Sequence, residues 1–217
     1  PNGAGKTTVF NMISGVYKPT EGQISFHGKR IDGKRPYQIN ALGIARTYQN
    51  INLFKNMTVL ENVVVGCHSR SHSGIFASIL RISSQRKEEE RIREKSFEIL
   101  KFFGLDKKAN LPACSLSYGE QRELEISRAL ASEPELLLLD EPAAGMNMTE
   151  KINLAESIKK IRDKGITILI VEHDMKLVMG ITDRILVLNY GKKIAEGEPV
   201  HIQNNPSVIE AYLGGDL

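Results

Sequence analysis

Residues 1–8 read PNGAGKTT, and that stretch decides the fold class. It is the phosphate-binding pattern GxxxxGK[ST] without its first glycine. Asn2, Gly3, Ala4 and Gly5 form a loop of small residues whose backbone N–H groups can converge on anionic oxygens at a helix start, where the helix dipole adds positive potential. Lys6 then reaches the β- and γ-phosphates as a point charge. The Thr7 hydroxyl is the expected Mg²⁺ ligand, and Thr8 lies near the α-phosphate. Taken alone, a glycine-rich stretch ending in Lys-Thr also fits an ordinary turn.

A loop of this kind follows a buried strand whose end aims the N–H groups at the phosphates. A strand is therefore expected ahead of Pro1, and the chain reads as a fragment that begins inside the pattern. Downstream, Thr7–Ser14 is an expected helix stopped by Gly15, and Gln23–His27 with Gly28-Lys29 an exposed strand and turn. Thr58 and Glu61 form a capping box that opens a helix through Val65. Residues 66–84, rich in Ser, His and Gly around the apolar piece Ile75–Leu80, read as a surface insertion. Either they offer a contact site for a partner or they pack back on the protein. The mixed-charge run after Gln85 leads into Ile99, Leu100 and Phe103 at helical spacing, with Gly104 as the stop.

Beyond Ser117, helix and apolar strand alternate: a helix to Ala131, a strand Leu136–Leu139, a helix Thr149–Asp163 and a strand Ile166–Val171. That alternation implies a parallel sheet covered by helices. Arg184–Leu188 and Lys192–Glu196 around Asn189-Tyr190-Gly191 read as a hairpin, and the tail as one short amphipathic helix.

The strand in ELLLLDEP, residues 135–142, ends in two carboxylates, as a metal-assisted phosphoryl site needs opposite a phosphate loop. Asp140 would hold Mg²⁺ through water. Glu141, pointing the other way off the strand end, is placed to polarise the attacking water as general base. The bland alternative is an acidic turn capped by Pro142. In LSYGEQR, residues 116–122, Ser117 and Glu120 form a second capping box and Gly119 permits close backbone approach. An exposed helix N-terminus of that kind is an anion site, or simply a helix start.

Composition sets outer limits. With 217 residues, 41% hydrophobic and 25% charged, the chain is long enough for one good-sized domain. Its 29 Lys and Arg against 26 Asp and Glu give a net charge of +3, dispersed rather than striped, so nucleic acid is poorly supported as a partner. No apolar run approaches the roughly 18 residues of a membrane span, so membrane association would run through a partner protein. Cys67 and Cys114 lie far apart with no metal-ligand spacing, and a reducing compartment is the simplest reading.

The phosphate loop, Gln49 in TYQ, LSYGEQ, LLLLDEP and Val171-Glu172-His173-Asp174 occur in the order that marks the ABC ATPases, and the whole chain resembles that family. The resemblance implies an α/β P-loop NTPase (RecA-like) core, residues 1–52 and 126–217, with an inserted helical subdomain, residues 53–125, and a small antiparallel element near Ile24. It also implies that His173 touches the γ-phosphate and that Gln49 senses the metal and the attacking water. Two ATPase subunits, identical or not, would meet head to tail, so that Ser117 and Gly119 of one close over ATP and Mg²⁺ held by Lys6, Glu141 and His173 of the other. Tyr118 stands where the family usually has glycine, Glu120 where it has glutamine, and Ala144-Gly145-Met146-Asn147 where it has Ser-Ala-Leu-Asp. LSYGEQR, DEPAAGMN, VEHDMKLVMGITDRI and the ending NNPSVIEAYLGGDL are most similar to ATPase subunits of bacterial branched-chain amino-acid importers. Those work with transmembrane permease subunits, and indirectly a substrate-binding protein, at the cytoplasmic face of the inner membrane. A soluble ABC ATPase of translation or DNA repair is the alternative. A GTP switch is disfavoured because no NKxD pattern occurs.

Overall fold

The computed structural model describes residues 1–67 and 83–213, without the side chains of 83–86 and 213. The apolar piece Ile75–Leu80 lies outside these residues.

Helix α1 (Lys6–Ile13) starts directly off Gly5, whose φ of 96° a side chain would resist, and ends at Ser14 and Gly15. Strands β1 (Ser25–Phe26) and β2 (Lys29–Arg30) are shorter than the expected Gln23–His27 strand. His27 (φ 49°) and Gly28 (φ 72°) both turn left-handed, the geometry of a tight two-residue hairpin, and this stops the first strand early. Helix α2 (Pro36–Ala41), unforeseen in the sequence, begins on a proline, with the Gln38 side chain accepting the Arg35 N–H at 2.9 Å. It leads into β3 (Ile44–Arg46), three residues that are too few to show a period.

Helices α3 (Val59–Cys67), α4 (Ser83–Phe102) and α5 (Tyr118–Leu130) pack on one another. The Thr58 capping box is present: Glu61 N–H donates to Thr58 Oγ1 at 3.1 Å, and Thr58 N–H donates to Glu61 Oε2 at 2.7 Å. Strand β4 (Leu136–Asp140) follows, then α6 (Met148–Asp163), β5 (Thr167–Val171) and α7 (Met175–Ile181), which Asp174 caps. Strands β6 (Ile185–Asn189) and β7 (Lys192–Gly197) form the expected hairpin. The tail holds two short helices, α8 (Pro199–Gln203) and α9 (Pro206–Leu213), where the sequence suggested one. Each begins on its own proline, a residue that favours the first helical position and bars continuation from before it.

Strands β3, β4 and β5 make a parallel sheet in that order. Leu137, Leu138 and Leu139 are fully buried because β4 is paired on both edges and covered on both faces. Leu137 and Leu139 join the cluster of α3–α6, while Leu138 turns to Phe10, Ile31, Ile39 and Val171 on the opposite face. Among the described residues β5 is paired on one edge only, and Leu169 is 41% exposed. Between β5 and β6 runs a groove of about 640 Å³, walled by Leu169 and Leu186 and reaching Pro1.

Candidate active site

The loop of residues 1–5 is built from backbone conformations that glycine permits. Gly3 has φ 72° and Gly5 φ 96°, with Ala4 buried between them. The turn of the β6–β7 hairpin braces the loop from behind, since Gly191 N–H donates to Ala4 O at 3.1 Å. Helix α1 has no side-chain cap, so its first N–H groups are left for an anion. Lys6 Nζ donates to Pro1 O at 2.6 Å. A cavity of about 690 Å³, within the usual range for a small-molecule site, is lined by Asn2, Gly3, Ala4, Lys6, His173 and Tyr190. Thr7 and Thr8 stand exposed on the first turn.

At the end of β4 the chain turns sharply. Glu141 has φ 45°, uncommon for a residue with a side chain, and is held by its N–H on Val171 O at 2.9 Å. Gln49 Nε2 donates to Glu141 Oε2 at 2.9 Å, and His173 Nδ1 lies 3.8 Å from the same oxygen. Two residues far apart in sequence thus converge on the carboxylate of a third. Glu172, buried beside them, accepts the Ala143 N–H at 2.8 Å and ties the end of β5 to the Glu141 turn.

Asp140 Oδ2 accepts a hydrogen bond from Arg46 Nη2 at 2.8 Å, and both side chains are almost completely buried. Arg46 also donates to Asn11 Oδ1 at 2.7 Å and Ser14 Oγ at 2.8 Å, and lies over the rings of Phe10 and Tyr48. This leaves Asp140 Oδ1 buried and without a hydrogen-bond partner among the described residues. A buried carboxylate oxygen in that condition costs free energy unless a partner satisfies it.

Ser117 and Gly119 are not among the residues lining that cavity. Ser117 caps α5, accepting the Glu120 N–H at 3.4 Å, while Glu120 Oε2 accepts the Ser117 N–H at 3.0 Å. Further along α5, burial first and then the Glu120 and Glu150 charges push Glu123 up to about 7. Its cost to stability is absent below the ordinary carboxylate range and grows as pH rises towards 7. Glu123→Gln should therefore raise the melting temperature at pH 8 and make no difference at pH 4, as thermal melts at both pH values would show.

Sequence reasoning missed the residues that hold Gln49. Arg122 is fully buried and donates to Tyr48 O at 2.6 Å, Gln49 O at 2.7 Å and Glu125 Oε2 at 2.7 Å. Glu125 takes the Tyr48 N–H at 3.4 Å, and Asn62 grips Phe54 through both its N–H and its carbonyl. The only signal was an Arg and a Glu three residues apart, a spacing that reads as a solvated helix face.

Residues 1–144 match the family model described as ABC transporter, and residues 192–217 match that of the branched-chain amino acid ATP-binding cassette transporter. The chain belongs to the ABC transporter family. The high-affinity branched-chain amino acid transport ATP-binding protein LivG of Escherichia coli (strain K12) is 47% identical over 215 residues, 99% of this chain and 84% of that protein. BraF of Pseudomonas aeruginosa, with the same description, is 45% identical over 99% of this chain and 84% of its own. Among solved structures, the ADP conformation of the ATP-binding cassette MJ1267 superposes with a TM-score of 0.84 at 36% identity, covering 99% of this chain and 85% of that one. A dimeric post-hydrolysis state of the ATP-binding cassette MJ0796 bound to ADP and Pi gives 0.75 at 27% identity, over 92% of this chain and 82% of that one. The ABC chain is thus an ATP-binding and ATP-hydrolysing α/β P-loop subunit.

Proposed function

We propose that this ABC ATPase powers the import of branched-chain amino acids, and that Glu141 is the base of its hydrolysis step. The observation that carries the catalytic reading is the convergence of Gln49 and His173 on the Glu141 carboxylate. Asn2, Gly3, Ala4, Gly5, Lys6, Thr7 and Thr8 bind the phosphates. Glu141 takes a proton from the attacking water, Gln49 orients that water, and His173 contacts the γ-phosphate. Thr7, Asp140 and Gln49 would hold Mg²⁺, and the unpartnered Asp140 Oδ1 suits an ion's water shell. The ion supplies positive charge against the charge that gathers on the phosphate oxygens.

Ser117 and Gly119 close over the ATP of a second ABC ATPase subunit placed head to tail; that the MJ0796 cassette is dimeric supports the pairing. Residues 1–52 and 126–217 act as the nucleotide-binding core and residues 53–125 as the helical subdomain. No helix among the described residues is long and apolar enough to cross a membrane. The subunit sits peripherally at the cytoplasmic face of the inner membrane, bound to transmembrane permease subunits that a substrate-binding protein serves, and engages no nucleic acid. Kinship over both core and tail supports the substrate class.

Reconstituting the subunit with the permease subunits of a branched-chain amino-acid importer tests this. Hydrolysis should rise when permease is added, and labelled leucine should enter vesicles only with ATP. Hydrolysis indifferent to the permease would favour a soluble ABC ATPase instead.

A further inference from the structure

Two departures from the usual family pattern, Tyr118 for glycine and Gly145 in the turn after Glu141, meet in space. A methyl group on Gly145 would stand 3.2 Å from Tyr118 Cε1 and 3.5 Å from its hydroxyl oxygen. That is closer than a packed carbon normally comes, so the ring already rests on the glycine. One residue on, a methyl group at Gly119 would stand 2.7 Å from Glu150 Oε1. Glu150 is anchored in turn, its carboxylate accepting the Asn147 N–H at 2.9 Å while its own N–H donates to Asn147 Oδ1 at 3.0 Å. The start of α5 and the start of α6 therefore pack together at two glycines, where an added methyl group would press on the Tyr118 ring and on the Glu150 carboxylate.

We propose that Tyr118 and Gly145 are a matched pair of positioning residues that fixes the Ser117–Gly119 turn against the Glu141 turn of the same subunit. The Tyr118 ring occupies the space that a side chain at position 145 would need. Gly145 also has φ 76°, so the turn can bend towards the ring without the strain a side chain would add. Asn147 fits the same arrangement: its amide oxygen caps α6, and its backbone N–H holds the Glu150 carboxylate beside Gly119. Neither Tyr118 nor Gly145 is among the residues lining the cavity at the phosphate loop. Their effect falls on where the α5 N-terminus stands when it meets ATP on the second subunit. The proposal rests on that head-to-tail reading.

A double-mutant cycle in the assembled transporter tests it, with ATP as the probe. Gly145→Ala should raise the ATP concentration for half-maximal hydrolysis about fivefold or more, because the methyl group displaces the Tyr118 ring. Nucleotide affinity of the isolated subunit should stay unchanged. Tyr118→Ala should raise the same quantity less, and the double variant should fall at least threefold below the product of the two single effects. The backbone strain of alanine at position 145 is present in both backgrounds and cancels in the cycle. Purely multiplicative effects, or a lowered melting temperature with no change in ATP dependence, would overturn the pairing. Ser117→Arg serves as the control for the underlying reading. If it abolishes hydrolysis while the pair proves uncoupled, the pairing alone fails; if it leaves hydrolysis intact, both fail.

Discussion

Glu141→Gln should slow ATP hydrolysis by on the order of 100-fold or more, while ATP affinity stays within about twofold of the parent, because a positioned general base contributes on that scale. The substitution is close to isosteric, and the glutamine oxygen can still accept the Gln49 amide that now donates to Glu141 Oε2 at 2.9 Å. It removes the basic oxygen and little else. In the proposed site the phosphates are held elsewhere, by the loop whose Gly3 and Gly5 turn left-handed and by Lys6. Lys6→Ala should show the reverse pattern, with affinity lost first. Single-turnover hydrolysis alongside equilibrium binding of a fluorescent nucleotide separates the two. Unchanged hydrolysis in Glu141→Gln would remove Glu141 from the base role.

Arg122→Ala should be the most destabilising single change at the site. Arg122 and Glu125 are 0% and 1% exposed, and removing the guanidinium strands the Glu125 carboxylate in a dry interior. Breaking a buried pair from one side costs about 3–5 kcal/mol, or roughly 10 °C in melting temperature for a domain of this size. The loss also reaches the chemistry. Arg122 holds the carbonyls of Tyr48 and Gln49, and with them the backbone from which Gln49 reaches Glu141. Replacing both partners by apolar residues, Arg122→Met with Glu125→Leu, should recover most of the stability, since neither charge then remains buried. Hydrolysis should not recover. Recovery of both would mean that the pair serves stability alone.

What was legible in the sequence has a common physical character. The phosphate loop, both capping boxes and the long helices α4 and α6 are local devices, with donor and acceptor, or the whole apolar period, inside a few consecutive residues. The second capping box formed as read, with Ser117 and Glu120 satisfying each other's backbone. The β6–β7 hairpin was readable for the same reason, its turn residues lying between two short apolar runs. Helix α2 and strand β3 were not read, because six and three residues carry too little periodicity to stand out. The early end of β1 came from His27 adopting a left-handed backbone, a choice the sequence does not advertise.

By itself, then, the sequence determined the family and with it the class of chemistry, ATP hydrolysis, through the order in which its motifs occur. The tertiary structure alone decided which charges are buried and what holds them. Arg46 reaches Asp140 across 94 residues, Arg122 reaches Tyr48 and Gln49 across more than 70, and Tyr118 finds Gly145 only when the starts of α5 and α6 are laid side by side. A lone arginine in a sequence reads as a solvated charge, since water is its default partner. It becomes a structural cation only where folding removes the water and sets a carboxylate or carbonyl in its place, and that depends on the packing of segments that share no local pattern.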